Sequence, residues 1–313
     1  STTGNVAFQL GDTVKFRIIT SVPDVSRYPN GYTYIVHDTM TVGFTSKVTT
    51  DKTSVSIVID NDPTDTLAGD YYTIALNPHA DTGETSHFDI TINISQAIAD
   101  GKIQPGDKLY INYAAVLNEK ADFYQVGQKH NTNTAQLEYS NNPNVDTDKG
   151  KTPEKKVYDW TFKMGVNKVD ETGKALTGAK FALSKNGALK VADMGCNDEG
   201  IPTVATGLIG MVKVNDGVYR VAMDGDTNVV YVIEAGDPVI KGLDDTIDYY
   251  LYETKAPGGY NLLSEPVQFK ISASYVADGS NYTSVTVMVG TAVASNALST
   301  NIVNKTGSTL PET

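Results

Sequence analysis

The chain has 313 residues, 40% hydrophobic and 20% charged, which is long enough for about two domains and too apolar for a disordered polypeptide. Its formal net charge of −12 opposes phosphate backbones and anionic membrane surfaces, so nucleic acid is excluded as an expected partner. Cys196 is the single cysteine, which rules out an intramolecular disulfide or a cysteine metal cluster, and no apolar run reaches the ~18 residues of a membrane-spanning helix.

Short alternating segments follow one another along the first half: Val14-Lys15-Phe16-Arg17-Ile18, Ser54-Val55-Ser56-Ile57-Val58-Ile59, His87-Phe88-Asp89-Ile90-Thr91-Ile92 and Lys108-Leu109-Tyr110-Ile111-Asn112-Tyr113. Alternation with a period of two predicts strands buried on one face, and turn-forming Gly, Pro, Asn and Asp separate them. Ser95 to Ala99 is the best candidate for a short helix. From Tyr139 to Lys156 the chain is polar and rich in turn formers, which predicts a linker and a domain boundary. Strands resume at Trp160-Thr161-Phe162-Lys163-Met164 and run to Thr300-Asn301-Ile302-Val303-Asn304, ahead of a polar tail. The expectation is an all-β protein of two tandem Ig-like β-sandwich domains, residues 1–152 and 153–305, followed by a tail, 306–313.

Three segments of the second half carry candidate chemistry. In the first, Phe162, Met164, Val166 and Lys168 share one parity, so alternation aims Lys168 at the apolar face and Lys163 away from it. Burial lowers a lysine pKa and leaves a neutral, nucleophilic amine. In the second, Glu253 shares the parity of Leu251, and a carboxyl group kept in an apolar interior is pushed towards its protonated form. In the third, Asn304 lies on the face of Ile302 and supplies a carboxamide carbon. An amine, a carboxamide and a proton-bearing carboxyl are the components of an amide-forming reaction that expels ammonia. Taken singly, each residue also has an ordinary reading, as a solvated edge lysine, a surface glutamate and a turn asparagine.

The segment Asn167-Lys168-Val169-Asp170-Glu171-Thr172-Gly173-Lys174-Ala175-Leu176-Thr177-Gly178-Ala179-Lys180-Phe181 resembles the opening of a collagen-adhesin B-type (CnaB) domain. Tyr250-Leu251-Tyr252-Glu253-Thr254-Lys255-Ala256-Pro257-Gly258-Gly259-Tyr260 resembles the E-box of Gram-positive pilins. With Ile302-Val303-Asn304-Lys305 and a terminal Leu310-Pro311-Glu312-Thr313, the stretch from Trp160 to Thr313 is similar to the C-terminal domain of sortase-assembled backbone pilins. That resemblance implies an intramolecular isopeptide bond between Lys168 and Asn304 with Glu253 as its catalyst. It also implies a sortase signal, LPxTG cut after the threonine, at Leu310, Pro311, Glu312 and Thr313.

The first half resembles the collagen-adhesin A-type (CnaA) middle domain of such pilins, through Gly11 to Ile18, Tyr34 to Met40 and Asn133 to Asn141. Here the resemblance implies that Asp38 is a catalytic acid and Asn133 a bonded asparagine. Lys15 is out of phase with Val14, Phe16 and Ile18, so it faces solvent and the lysine partner is unassigned. Lys155 and Lys156 are weak substitutes for the family's acceptor lysine.

No metal site or cofactor is expected. His37, His79, His87 and His130 show no ligand spacing, and Asp224, Asp226 and Asn228 read as a turn because the rest of a calcium loop is missing. The resemblance implies a non-enzymatic shaft subunit of an extracellular, wall-anchored pilus that supports adhesion, with other pilus subunits and sortase as partners. The alternative is an ancillary pilin or adhesin whose loops bind host matrix or glycan. An accessory module of a glycosidase would need an exposed aromatic platform, to which Tyr28, Tyr32 and Tyr124 are candidates to contribute.

Overall fold

The structure, a computed structural model, describes residues 6–77, 86–123, 130–290, 292–293 and 298–306. The chain divides into two compact units. One comprises Asp12–Ala121 and Asn131–Tyr158, the other Asp159–Thr313 with Ser1–Gly11 and Asp122–His130. Apart from the helix Ile94–Ala99 and two short 3-10 turns, the regular structure of the described residues is strand, so the chain is all-β. The helix begins at Asn93, whose side chain accepts a hydrogen bond from the Gln96 amide and caps one of the free N–H groups.

In the first unit, strand Thr13–Ser21 pairs with Lys108–Leu117, which continues through Ser56–Ile59 to Asp62–Thr66. The second sheet runs Lys149–Lys151, Asn131–Ser140, Tyr34–Met40, Ser86–Ile92, Tyr72–Leu76. Alternation decides the faces. Leu109, Ile111, Tyr113, Ala115 and Leu117 are buried along one strand, and Val36, Asp38 and Met40 along another. Each large apolar side chain buried in this way contributes roughly 1.5–3 kcal/mol.

The polar stretch that reads as a linker is instead part of this unit. The Asn141 amide donates to the Asp148 carbonyl, and Lys149–Lys151 returns along Asn131–Ser140 as an edge strand. An edge strand has one free side in water, so its composition is polar like that of a linker and does not separate the two. The units part between Tyr158 and Asp159, not after residue 152, and residues 6–11 belong with the second unit.

In the second unit, one sheet has the order Val229–Val230, Met211–Asn215, Val218–Val221, Val239–Leu243, Phe162–Asp170, Ser299–Asn304. The other has the order Ile233–Glu234, Lys180–Ser184, Tyr249–Lys255, Val267–Tyr275, Tyr282–Val289, Ala292–Val293. The opening strand, Phe162–Asp170, and the closing strand, Ser299–Asn304, are parallel neighbours, with Lys168 opposite Ile302 and Asp170 opposite Asn304. That pairing joins the ends of the unit in one sheet and positions the site described next.

Candidate functional site

Along the opening strand Phe162, Met164 and Val166 are buried, and the same alternation buries Lys168, which is 1% exposed. Asn304 is buried by the alternation of the closing strand, where Thr300 and Ile302 also point inward. Glu253 is buried on the strand Tyr249–Lys255 of the opposite sheet. The sandwich therefore brings the lysine and the asparagine from one sheet against the glutamate from the other.

The Lys168 Nζ donates to Asn304 Oδ1 at 2.5 Å and to the Ile302 carbonyl at 2.9 Å. Asn304 Nδ2 donates to Glu253 Oε1 at 2.9 Å and to Oε2 at 3.0 Å, and also to the Asn261 carbonyl at 2.9 Å. Glu253 Oε2 accepts a hydrogen bond from the Leu263 amide at 2.8 Å, and its Oε1 lies 3.9 Å from the Lys168 Nζ. Desolvation lowers the Lys168 pKa against the opposing pull of Glu253, and desolvation raises that of Glu253 against the hydrogen bonds from Asn304 and Leu263. Both shifts favour a neutral amine beside a protonated carboxyl.

Sequence reasoning missed the backbone part of this site. The segment that follows Glu253 turns at Pro257 to Tyr260, then lies against the end of the closing strand, with the Asn261 amide donating to the Lys305 carbonyl and Tyr260 bridged to Thr306. This return places the Asn261 carbonyl on the Asn304 amide and the Leu263 amide on the Glu253 carboxyl. A backbone group carries no residue-type signature, so only the turn-forming Pro257-Gly258-Gly259 hinted at it.

The first sandwich buries a related group. The Tyr113 hydroxyl donates to Asp38 Oδ2 at 2.5 Å, and Asn133 Nδ2 donates to the same oxygen at 3.1 Å and to the Tyr113 hydroxyl at 2.8 Å. Burial pushes the Asp38 carboxyl up to about 7 against the lowering effect of these two donors. Asp38 Oδ1 and Asn133 Oδ1 are buried without a hydrogen-bond partner. Asp38 and Asn133 were legible as candidates, whereas Tyr113 was not, although its parity with Leu109 and Ile111 already aimed it inward. Lys15 is exposed, and it is the neighbouring Phe16 that stacks on Tyr113, at 5.5 Å between ring centroids.

The remaining candidates do not form further sites. No group of three His, Cys, Asp or Glu among the described residues is arranged to hold a metal ion. His37 lies between Asp89 and Glu138, His130 packs edge-on against Trp160, His87 lies in strand Ser86–Ile92, and His79 is outside the described residues. Asp226 is taken by a bidentate pair with Arg220, both contacts 2.7 Å, inside a turn. Tyr28 and Tyr32 meet edge to face, an arrangement that offers no flat platform, and Tyr124 lies outside the described residues. Lys155 and Lys156 are exposed at a strand end, and Leu310, Pro311, Glu312 and Thr313 are outside the described residues.

The sequence profile of the SpaA prealbumin-like fold domain matches residues 223–283. No curated protein matches by sequence. Among solved structures, the chain is similar to the 35 kDa C-terminal fragment of the major pilin GBS80 of Streptococcus agalactiae, at 22% identity over 96% of this chain and 95% of that one, with a TM-score of 0.61. It is similar to the full-length major pilin RrgB of Streptococcus pneumoniae at 16% identity, over 97% of this chain and 71% of that one, with a TM-score of 0.56. A third likeness is to the Corynebacterium diphtheriae major pilin SpaA, described with stabilising isopeptide bonds, at 15% identity over 95% of this chain and 65% of that one, with a TM-score of 0.53. At these identities the shared property is the fold.

Proposed function

We propose that this chain is a structural shaft subunit of a Gram-positive surface pilus, and that its second sandwich is locked by an amide bond between Lys168 and Asn304. The observation that carries the reading is the buried contact of the Lys168 Nζ with the Asn304 carboxamide, 2.5 Å from its Oδ1, while Glu253 holds the carboxamide nitrogen. The likeness in fold to three major pilins supports the wider reading.

The chemistry follows from where each atom lies. The neutral Nζ of Lys168 attacks Cγ of Asn304, and as that carbon becomes tetrahedral the lone pair of Nδ2 is freed from the amide. The Glu253 carboxyl, 2.9 Å away, delivers a proton to Nδ2 and recovers one from the attacking amine. The Cγ–Nδ2 bond breaks, ammonia leaves, and an Nζ–Cγ amide remains with Glu253 regenerated. The Asn261 carbonyl fixes the leaving nitrogen on the carboxyl side, and the Ile302 carbonyl holds the amine. The chain acts once on itself, so it is a self-crosslinking structural protein.

In this reading Leu310, Pro311, Glu312 and Thr313 are the segment that sortase cleaves, and other pilus subunits are the partners in a cell-surface fibre. Asp38 and Asn133 supply the carboxyl and carboxamide of a second such bond in the first sandwich, whose amine is unassigned.

Intact mass under denaturing conditions tests the crosslink. Each bond removes one ammonia, so the protein weighs about 17 Da less than its sequence per bond formed. One deficit that disappears in Lys168→Ala and in Glu253→Ala supports the assignment. A deficit that Lys168→Ala leaves undiminished would falsify it.

A further inference from the structure

The residues that precede the first sandwich are built into the second unit. The Trp160 amide donates to the Val6 carbonyl at 2.7 Å, the Phe8 amide to the Trp160 carbonyl at 2.9 Å and the Leu10 amide to the Gly242 carbonyl at 3.1 Å. Ala7 pairs in parallel with Trp160. Ala7 is 0% and Leu10 1% exposed, while Val6 and Phe8 are half-buried, so the segment is anchored chiefly through Ala7 and Leu10. Gly242 has a φ of +90°, and a Cβ there would lie 2.7 Å from the Leu10 side chain, so this glycine makes the seat for Leu10. The Tyr249 hydroxyl donates to Gln9 Oε1 at 3.3 Å. Asp12–Ala121 and Asn131–Tyr158 are thus an insertion, and the stretches of the second unit before its first entry and after its last exit are hydrogen-bonded to each other.

We propose that residues 6–10 form a tension bridge that carries load into the second sandwich and past the first. Tension on the chain ends pulls this segment from its N-terminal side and the second unit from its C-terminal side. Because Ala7 and Trp160 run parallel, this loads their hydrogen bonds in shear, where they must fail together, and does not peel them one at a time. Trp160 leads directly into the opening strand, which passes load to its parallel neighbour, the closing strand, again in shear. The path from residue 6 to residue 304 therefore crosses two parallel pairings and leaves Asp12–Tyr158 unloaded while the first holds. The use of this bridge in a fibre rests on the load-bearing reading above, whereas the bridge itself is a property of the isolated chain. A mass deficit with no bridge would leave the pilus reading standing.

Single-molecule pulling on the full chain tests it, with Cys196→Ser in every arm so that handles attach only where intended. Handles fused to the two chain ends load the segment in shear, and a handle at Asp12→Cys paired with the C-terminal end pulls it from its other side, where the bridge peels from Leu10 and gives the load up to the first sandwich. Unfolding of Asp12–Ala121 and Asn131–Tyr158 is recognised by the release of about 470 Å of chain, at roughly 3.4 Å per residue. At the same constant force we expect this event to be slower in the end-to-end geometry by a factor on the order of ten, because forced unfolding is governed by the barrier that load must cross. Leu10→Asp, which empties the Gly242 seat, and Phe8→Pro, which deletes one bridging N–H, should each remove the difference. Equal rates in the two geometries for the unsubstituted segment, or a difference that persists in both variants, overturns the proposal.

Discussion

Each sandwich buries a carboxyl beside a carboxamide, yet the two groups differ in what completes them. In the second, Glu253 and Asn304 meet the Lys168 amine, and the short contacts run from nucleophile to carboxamide to acid. In the first, Asp38 and Asn133 meet the Tyr113 hydroxyl, which donates to the acid and accepts from the amide, and an oxygen of each partner remains unpaired. A phenol is a hydrogen-bonding partner at neutral pH, whereas a desolvated amine is a nucleophile. A buried acid next to an amide thus still needs an amine before it can crosslink. The proposed lock needs an amine as the third group, which Lys168 supplies in the second sandwich and which is unassigned in the first.

The sharpest way to break this contrast is to remove the amine. Lys168→Met keeps the volume and deletes the nucleophile, and it should lower the stability of the second sandwich by roughly 4–5 kcal/mol, the chain-entropy value for closing a loop of this size. Chemical denaturation followed by a probe in the second sandwich measures it, and the first sandwich should not respond.

Nearly as large is an effect of pH confined to the other site. Asp38 has a folded pKa of about 7, above its ordinary 3.8, so the folded state binds a proton that the unfolded chain has released between those values. Its contribution is full below the unfolded pKa and is lost as pH rises through the folded one, a decline of roughly 4 kcal/mol between pH 4 and pH 8. Hydrogen exchange at amides of strand Tyr34–Met40 resolves this from Asp159, which burial raises to about 8 in the second unit. Asp38→Asn should flatten the profile, and a flat profile in the unsubstituted protein contradicts the assignment.

Tyr113→Phe should cost about 1–3 kcal/mol, because it strips a donor from Asp38 and an acceptor from Asn133 inside the core. It should also push the carboxyl pKa further up and move the pH decline to higher values. At the bottom of the scale, Lys15→Ala should change stability by less than about 0.5 kcal/mol and leave any ammonia deficit intact, as befits an exposed side chain. A lost deficit there would show that Lys15 is the missing amine.

Much of this was readable before any coordinates. Period-two alternation identified the all-β character and turned Lys168, Asn304, Glu253 and Asp38 inward, since a strand assigns successive side chains to opposite faces with no reference to what lies across from them. The same rule sent Lys15 outward. Tyr113 obeyed it too, but an inward tyrosine looks like ordinary core, and its role appears only once Asp38 and Asn133 arrive from the other sheet.

The short helix was placed to within one residue by its local pattern, whereas the linker was not, because a polar edge strand and a solvated connection have the same composition. What alternation cannot contain is pairing over distance. Lys168 and Asn304 are 136 residues apart, and their contact depends on two terminal strands lying parallel in one register. The Asn261 carbonyl and Leu263 amide over the site, and residues 6–10 seated against Trp160 and Gly242, are backbone contacts of the same kind. Local sequence decides which way a side chain points, because that is set by the pleat of its own strand. Only the packed structure decides what it points at, because that is set by burial and hydrogen bonding summed over segments the sequence keeps far apart.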